Sequence, residues 1–163
     1  MNLRLLATPL LATGLLLSTL ACSKKEEDAK PVVTPNVGSY KLDGQLFNRE
    51  AKAFEYPNRV GFYEDQLQIQ LTSPVTAPTG PDNLLLAFGK PVGSAVSAYR
   101  FISATTITWP SGSSPLQTRS FTKDLKFTLS ATPGGGYSGT FSASNNGTPS
   151  SLITDGVFTD VRP

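Results

Sequence analysis

Histidine is absent from this chain of 163 residues. Its absence removes Ser-His-Asp and Cys-His catalysis, His-ligated zinc and the one side chain that titrates unperturbed near neutral pH. An enzyme built on this sequence would have to use carboxylates, lysine or tyrosine. Cysteine occurs once, so no disulfide can form within the chain and the fold must stand on burial. Charge is scarce too: Asp, Glu, Lys and Arg are 16% of the residues, and their signs nearly cancel. With no basic stripe, the electrostatic footprint of a nucleic-acid partner is missing. Nor is there a spanning helix, which needs roughly 20 apolar residues; the N-terminal apolar stretch, Leu10 to Leu20, is broken by Thr13, Gly14, Ser18 and Thr19.

What is present begins with that stretch. One basic residue, Arg4, precedes it and a small residue, Ala21, closes it, the layout of a secretion signal over residues 1–21. The lone cysteine follows at once. Thr19-Leu20-Ala21-Cys22 resembles the lipobox of bacterial lipoproteins, Leu-(Ala/Ser/Thr)-(Gly/Ala)-Cys. Cysteine and the small residue match, while the two positions upstream are swapped in character. The resemblance implies that the Cys22 thiol is lipidated and that the new N-terminus is held on a membrane. Each buried CH₂ of an acyl chain contributes about 0.8 kcal/mol, so the two or three chains usual in such proteins hold firmly where one would not. A plain secreted protein cut near Ala21 and an uncleaved N-terminal anchor are the alternatives.

Residues 22–38 read as a tether. Lys24-Lys25-Glu26-Glu27-Asp28 is, on its own, a solvated charge cluster. A lysine followed by acids just after the cysteine is also similar to the export signal of Bacteroidota lipoproteins displayed on the outer face of the outer membrane. That likeness rests on Lys25, Glu26, Glu27 and Asp28, and implies a surface-exposed protein. Pro31 and Pro35 keep the rest of the tether extended.

Residues 39–163 then form one ordinary domain. Leu67, Ile69 and Leu71 alternate with Gln66, Gln68 and Gln70, an antiparallel strand with one wet face. Leu125, Phe127 and Leu129, then Tyr137, Gly139 and Phe141, alternate likewise around a Thr132–Gly136 turn. Leu84 to Phe88 is unbroken and apolar, as in a strand covered on both faces. Ser97–Ile102 and Thr105–Trp109 read as two further strands. Asp43-Gly44 and Asp155-Gly156 each predict a tight type I′ turn. Asn48–Glu55 has a weak helical spacing, but strand or irregular structure suits it better. The expected fold is all-β: a single antiparallel β-sandwich or squashed β-barrel of about nine or ten strands. "Leu-Asp-Gly" (Leu42–Gly44), "Ser-Gly-Thr-Phe-Ser" (Ser138–Ser142) and the closing Ile153–Val161 resemble a group of small uncharacterised Bacteroidota lipoproteins. That group implies a fold and a location, and no activity.

Candidate chemistry is thin. Ser120-Phe121-Thr122-Lys123 matches Ser-x-x-Lys, yet its pattern leads into a strand, and its partner motifs are absent. Gly134-Gly135-Gly136 lacks the Lys and helix of a phosphate loop. Glu64-Asp65 is an adjacent acid pair that a loop tip would leave solvated, and nothing brings Glu50 and Glu55 to either side of a sugar. Asp155, Asp160, Asn145 and Asn146 lack a calcium-loop series and suit turns. No metal site and no cofactor is expected. There remain Trp109, Tyr99 and Tyr63 at strand ends, where a ring either stacks on a ligand or caps the core.

These readings combine into a membrane-anchored lipoprotein of the cell envelope that binds or scaffolds rather than catalyses. Its partners would be the membrane through the lipid anchor and a glycan, a small apolar ligand or an envelope protein. A purely structural envelope component is the alternative, and a histidine-independent carboxylate hydrolase is the weakest reading.

Overall fold

The computed structural model describes residues 34–57, 63–74, 83–109 and 115–163. Cys22, Lys25, Glu26, Glu27 and Asp28 lie outside them, as do residues 110–114. Nine strands form one antiparallel sheet: β1 Val37–Leu42, β2 Gln45–Tyr56, β3 Glu64–Thr72, β4 Asn83–Pro91, β5 Arg100–Thr108, β6 Gln117–Phe121, β7 Lys123–Ala131, β8 Tyr137–Ser144 and β9 Leu152–Val161. Their order is β6-β5-β4-β3-β2-β1-β9-β8-β7. The all-β expectation holds, and the sheet is barrel-like rather than a two-sheet sandwich. Strand β1 opens at Val37 and so includes the last two residues of the expected tether, Val37 and Gly38.

Only Thr122 separates β6 from β7, too little chain to reverse direction. The two are therefore one kinked strand whose first part bonds to β5 and whose second part bonds to β8. This shared strand brings the two ends of the sheet together. An aromatic trio packs across the seam: Phe127 of β7 lies 5.7 Å from Phe88 and 6.1 Å from Phe101, which stack on each other at 5.0 Å. Inside, Tyr40, Phe88, Phe121, Leu67, Ile69, Leu84, Leu86 and Phe158 are all but inaccessible to solvent. The barrel interior is thus filled by side chains.

Curvature comes from aspartates. In β9 one extra residue stands opposite β1 between the pairs Ser39–Val157 and Lys41–Thr154, and the same residue interrupts β8. This bulge is Asp155-Gly156, so the expected second turn is instead a bend within one continuous strand. Asp155 has φ 52° there; Asp160 and Asp124, at φ 42° and 48°, stand at two further register shifts. Aspartate tolerates this left-handed backbone because its short carboxylate bonds locally. Each of these carboxylates is tied down: Asp155 to Lys41 at 2.9 Å, Asp124 to the Ser144 hydroxyl, and Asp160 to the Thr132 hydroxyl and Arg162. Asp43-Gly44, by contrast, does form the β1–β2 hairpin, with positive φ at both positions as the type I′ reading requires.

Two more expectations are corrected. Ser97–Ile102 and Thr105–Trp109 are not two strands; a short 3₁₀ turn, Val96–Ala98, leads into the single strand β5. The apolar run Leu84–Phe88 is not covered on both faces, since Leu84, Leu86 and Phe88 are buried while Leu85 and Ala87 are half-buried on the outside. Asn48–Glu55 lies wholly within strand β2, as preferred.

Two of the three segments that carried the family resemblance, Ser138–Ser142 and Ile153–Val161, pair with each other. Gly139 stands opposite Phe158 and Phe141 opposite Gly156. A Cβ on Gly156 would come within 2.6 Å of the Phe141 ring, and one on Gly139 within 2.1 Å of the Thr128 carbonyl oxygen. Each glycine is thus the space into which the strands and their phenylalanines close.

Candidate functional site

The barrel has two ends, and the three candidate aromatics do not share one. Tyr99 precedes β5 and Trp109 follows it, so they lie roughly 30 Å apart at about 3.3 Å per residue. Tyr63, 95% exposed, stands just before β3 on the Tyr99 side. The three therefore form no common site.

The tyrosine end is a polar plug. In β2, β3 and β4 the inward parity of the core continues past Ala53, Leu67 and Phe88 to Glu55, Asp65 and Lys90. Tyr99, 6% exposed, and Tyr137 complete the group. The Tyr137 hydroxyl donates to Glu55 Oε1 at 2.5 Å, tying β8 to β2 across the mouth. Lys90 lies over the Tyr99 ring at 5.2 Å, reaches Asp65 at 3.5 Å and donates to the Ser94 carbonyl. Gly93 N–H donates to Asp65, fixing the β4–β5 corner. Glu64 points the other way, outwards, and takes a two-pronged bond from Arg100 at 2.6 and 2.8 Å. The acid pair is therefore not a solvated loop tip: alternation in β3 sends each carboxylate to a separate cation. Glu50 and Glu55, five apart on β2, likewise point to opposite faces.

Burial, then the Glu55 hydrogen bond, raises Tyr137 far above the usual phenol range. Tyr99 is raised by burial first and by the Glu55 and Asp65 charges next. Burial also raises Tyr40, against the pull of Arg49 beside it. Arg49 is an inward cation that periodicity did not single out; it lies over the Phe47 ring at 4.8 Å and donates to the Asn48 carbonyl. These phenols predict an alkaline weakness. The unfolded chain releases their protons near the ordinary phenol value of 10.0, whereas the folded protein keeps them. Stability present below that pH is therefore lost as pH rises through it. The expected result is a denaturation midpoint that falls between about pH 9 and pH 11, less steeply in Tyr137→Phe, which itself costs about 1–2 kcal/mol at neutral pH. Equal slopes in the two proteins would show that Tyr137 contributes nothing to the effect.

The tryptophan end is built differently. Arg119 of β6 crosses to the opposite wall, donating to the Ser151 hydroxyl at 2.5 Å and standing 3.6 Å from Asp43. Ser151 is buried and its hydroxyl donates a hydrogen bond to Asp43, whose other oxygen accepts the Leu152 N–H. Trp109 stands at this rim 64% exposed, and Leu116, just before β6, and Leu152, the first residue of β9, are exposed as well. The core-capping role for this ring is thereby excluded. For Tyr99 it is the role observed.

An open depression of about 650 Å³ also crosses the outer face of β7–β9, walled by Thr128, Thr140 and Ser142 between Lys126 and Asp155. It faces solvent along its length and would bury little of a ligand. Ser120 and Lys123 fall in two segments of strand, not on a helical turn. Among the described residues, no group of three or more Cys, Asp or Glu is placed to hold a metal ion. The signal for the tyrosine-end cluster was available in the sequence: polar residues that keep the core's alternation just past its last apolar member.

Fold and site together define an all-β, barrel-like domain with a filled interior and two chemically distinct ends. No family model matches the chain, and no curated protein or solved structure matches it either.

Proposed function

We propose that the chain is a lipid-anchored protein of the bacterial cell envelope, displayed on the outer membrane, whose domain binds an envelope partner at its tryptophan end. The observation that carries the binding part is Trp109. A domain that buries Tyr40, Phe88, Phe121 and Phe158 leaves its one indole two-thirds in water at a barrel rim. Indole offers stacking area with a polar edge, suited to a sugar face or a protein side chain. The filled interior supports contact at the surface over enclosure of a small apolar ligand. The carboxylates at the tyrosine end are already engaged by Tyr137, Lys90 and Arg100, which favours a binding or scaffolding protein over a carboxylate hydrolase.

The test uses Trp109 as both probe and target. Envelope glycans and candidate envelope proteins are titrated by calorimetry and by tryptophan emission. Trp109→Ala is expected to weaken binding by on the order of 1 kcal/mol or somewhat more. A ligand bound equally well by Trp109→Ala would place the contact elsewhere. Absence of any ligand across that set would favour the purely structural component.

A further inference from the structure

The loop joining β8 to β9 carries Asn146 followed by Gly147, a pair that neither end of the barrel uses. We propose that Asn146 is a site of spontaneous modification, in which its side-chain amide is lost to the backbone nitrogen of Gly147, and that Asn145 restrains the reaction.

Three features of the loop carry the proposal. Asn146 and Gly147 are both exposed, so water and leaving group have access. Position 147 is close-packed for a side chain: a Cβ there would crowd Asn145 Nδ2 and the Pro149 carbonyl oxygen, each at 3.3 Å. Having no side chain, glycine hinders least the approach of its nitrogen to Cγ of the preceding asparagine. Lastly, the Gly147 N–H is held. It donates to Asn145 Oδ1 at 3.2 Å, and the same oxygen accepts the Ser151 N–H at 2.7 Å.

The chemistry balances with water as the sole co-reactant. Gly147 N bonds to Asn146 Cγ and gives up its proton. The bond from Cγ to the amide nitrogen breaks, and ammonia leaves, closing a five-membered imide. Water then opens the ring at either carbonyl, leaving aspartate or its β-linked isomer at 146. The attacking nitrogen must lose its proton to become a nucleophile, so an acceptor that keeps the proton on nitrogen slows the first step. Asn145 Oδ1 is that acceptor. Asn145 also bonds through its own N–H to the Ser151 carbonyl at 3.1 Å, closing the base of the loop. Modification would add a negative charge, and in the isomer an extra backbone carbon, between these two anchors. Ser151 is in turn the residue gripped by Arg119 and Asp43, so the change bears on the tryptophan end.

The purified full chain, incubated warm in mildly alkaline buffer, is followed by peptide mapping with mass spectrometry and enzymatic labelling of β-linked aspartate. The expected result is conversion confined to the peptide containing Asn146, abolished in Asn146→Gln and strongly slowed in Gly147→Ala. Asn145→Ala is expected to convert several-fold faster than the unaltered chain. Asn145→Asp, which keeps an acceptor oxygen, is expected to stay at the unaltered rate. Conversion of the denatured chain with none in the folded protein would overturn the site. Equal speed of Asn145→Ala and Asn145→Asp would overturn the restraint, whether or not either variant is loosened.

Discussion

Phe158→Ala is expected to destabilise the domain by about 3–5 kcal/mol, the range for deleting a buried phenylalanine. Phe158 is almost wholly excluded from water, packs against Phe141 at 6.2 Å and fills the space that Gly139 leaves open on the neighbouring strand. The neighbours cannot collapse into the hole, because Phe141 is itself wedged over Gly156. Against a total of roughly 5–15 kcal/mol for a domain, the loss would leave a fold near its threshold. Urea denaturation followed by circular dichroism measures it. Val157→Ala, on the outer face of the same strand, should move the midpoint little. Comparable losses in the two variants would contradict the inward placement of Phe158, and with it the register of β8 against β9.

The second large effect concerns the proposed lipid anchor. Cys22→Ser is expected to abolish incorporation of labelled palmitate and to release the protein from the membrane fraction. Cysteine occurs once in the chain, so no other thiol can take the lipid. On the proposed lipoprotein reading, loss of two or three acyl chains would remove tens of CH₂ groups at about 0.8 kcal/mol each, more than a surface contact of the domain would replace. Label retained by Cys22→Ser would end the lipoprotein reading. Lack of label in the unaltered chain together with release into the medium would favour the plain secreted protein.

Much of the architecture was legible because strand alternation is a local signal. Leu67, Ile69 and Leu71 face the core as their spacing required, and Asp43-Gly44 turns the chain where expected. Asp155-Gly156, the same dipeptide, does not. Backbone propensity gives both pairs a left-handed residue, but β1 and β8 hold β9 on both sides, and a strand so flanked bends instead of reversing. Propensity could state that the chain kinks at Asp155; only its neighbours decided what the kink becomes. Likewise, nothing within Glu64-Asp65 showed that Arg100 and Lys90 wait on opposite faces of the sheet.

The candidate site divides on the same line. That Trp109, Tyr99 and Tyr63 lie near strand ends followed from the chain itself. Which end each occupies depends on strand direction, and whether each is wet or dry depends on what packs around it. Tyr99 is covered because Lys90, from β4, lies over its ring, whereas Trp109 stays exposed at the far rim. By itself the sequence determined the class of fold, the lack of histidine chemistry and the lone cysteine behind an apolar stretch, since composition, period and order are local properties. The tertiary structure alone decided that the sheet closes through β6 and β7, that its interior is filled, and that its two ends differ. Those depend on contacts between residues up to 126 positions apart, as between Asn36 and Arg162, which no window along the chain can bring together.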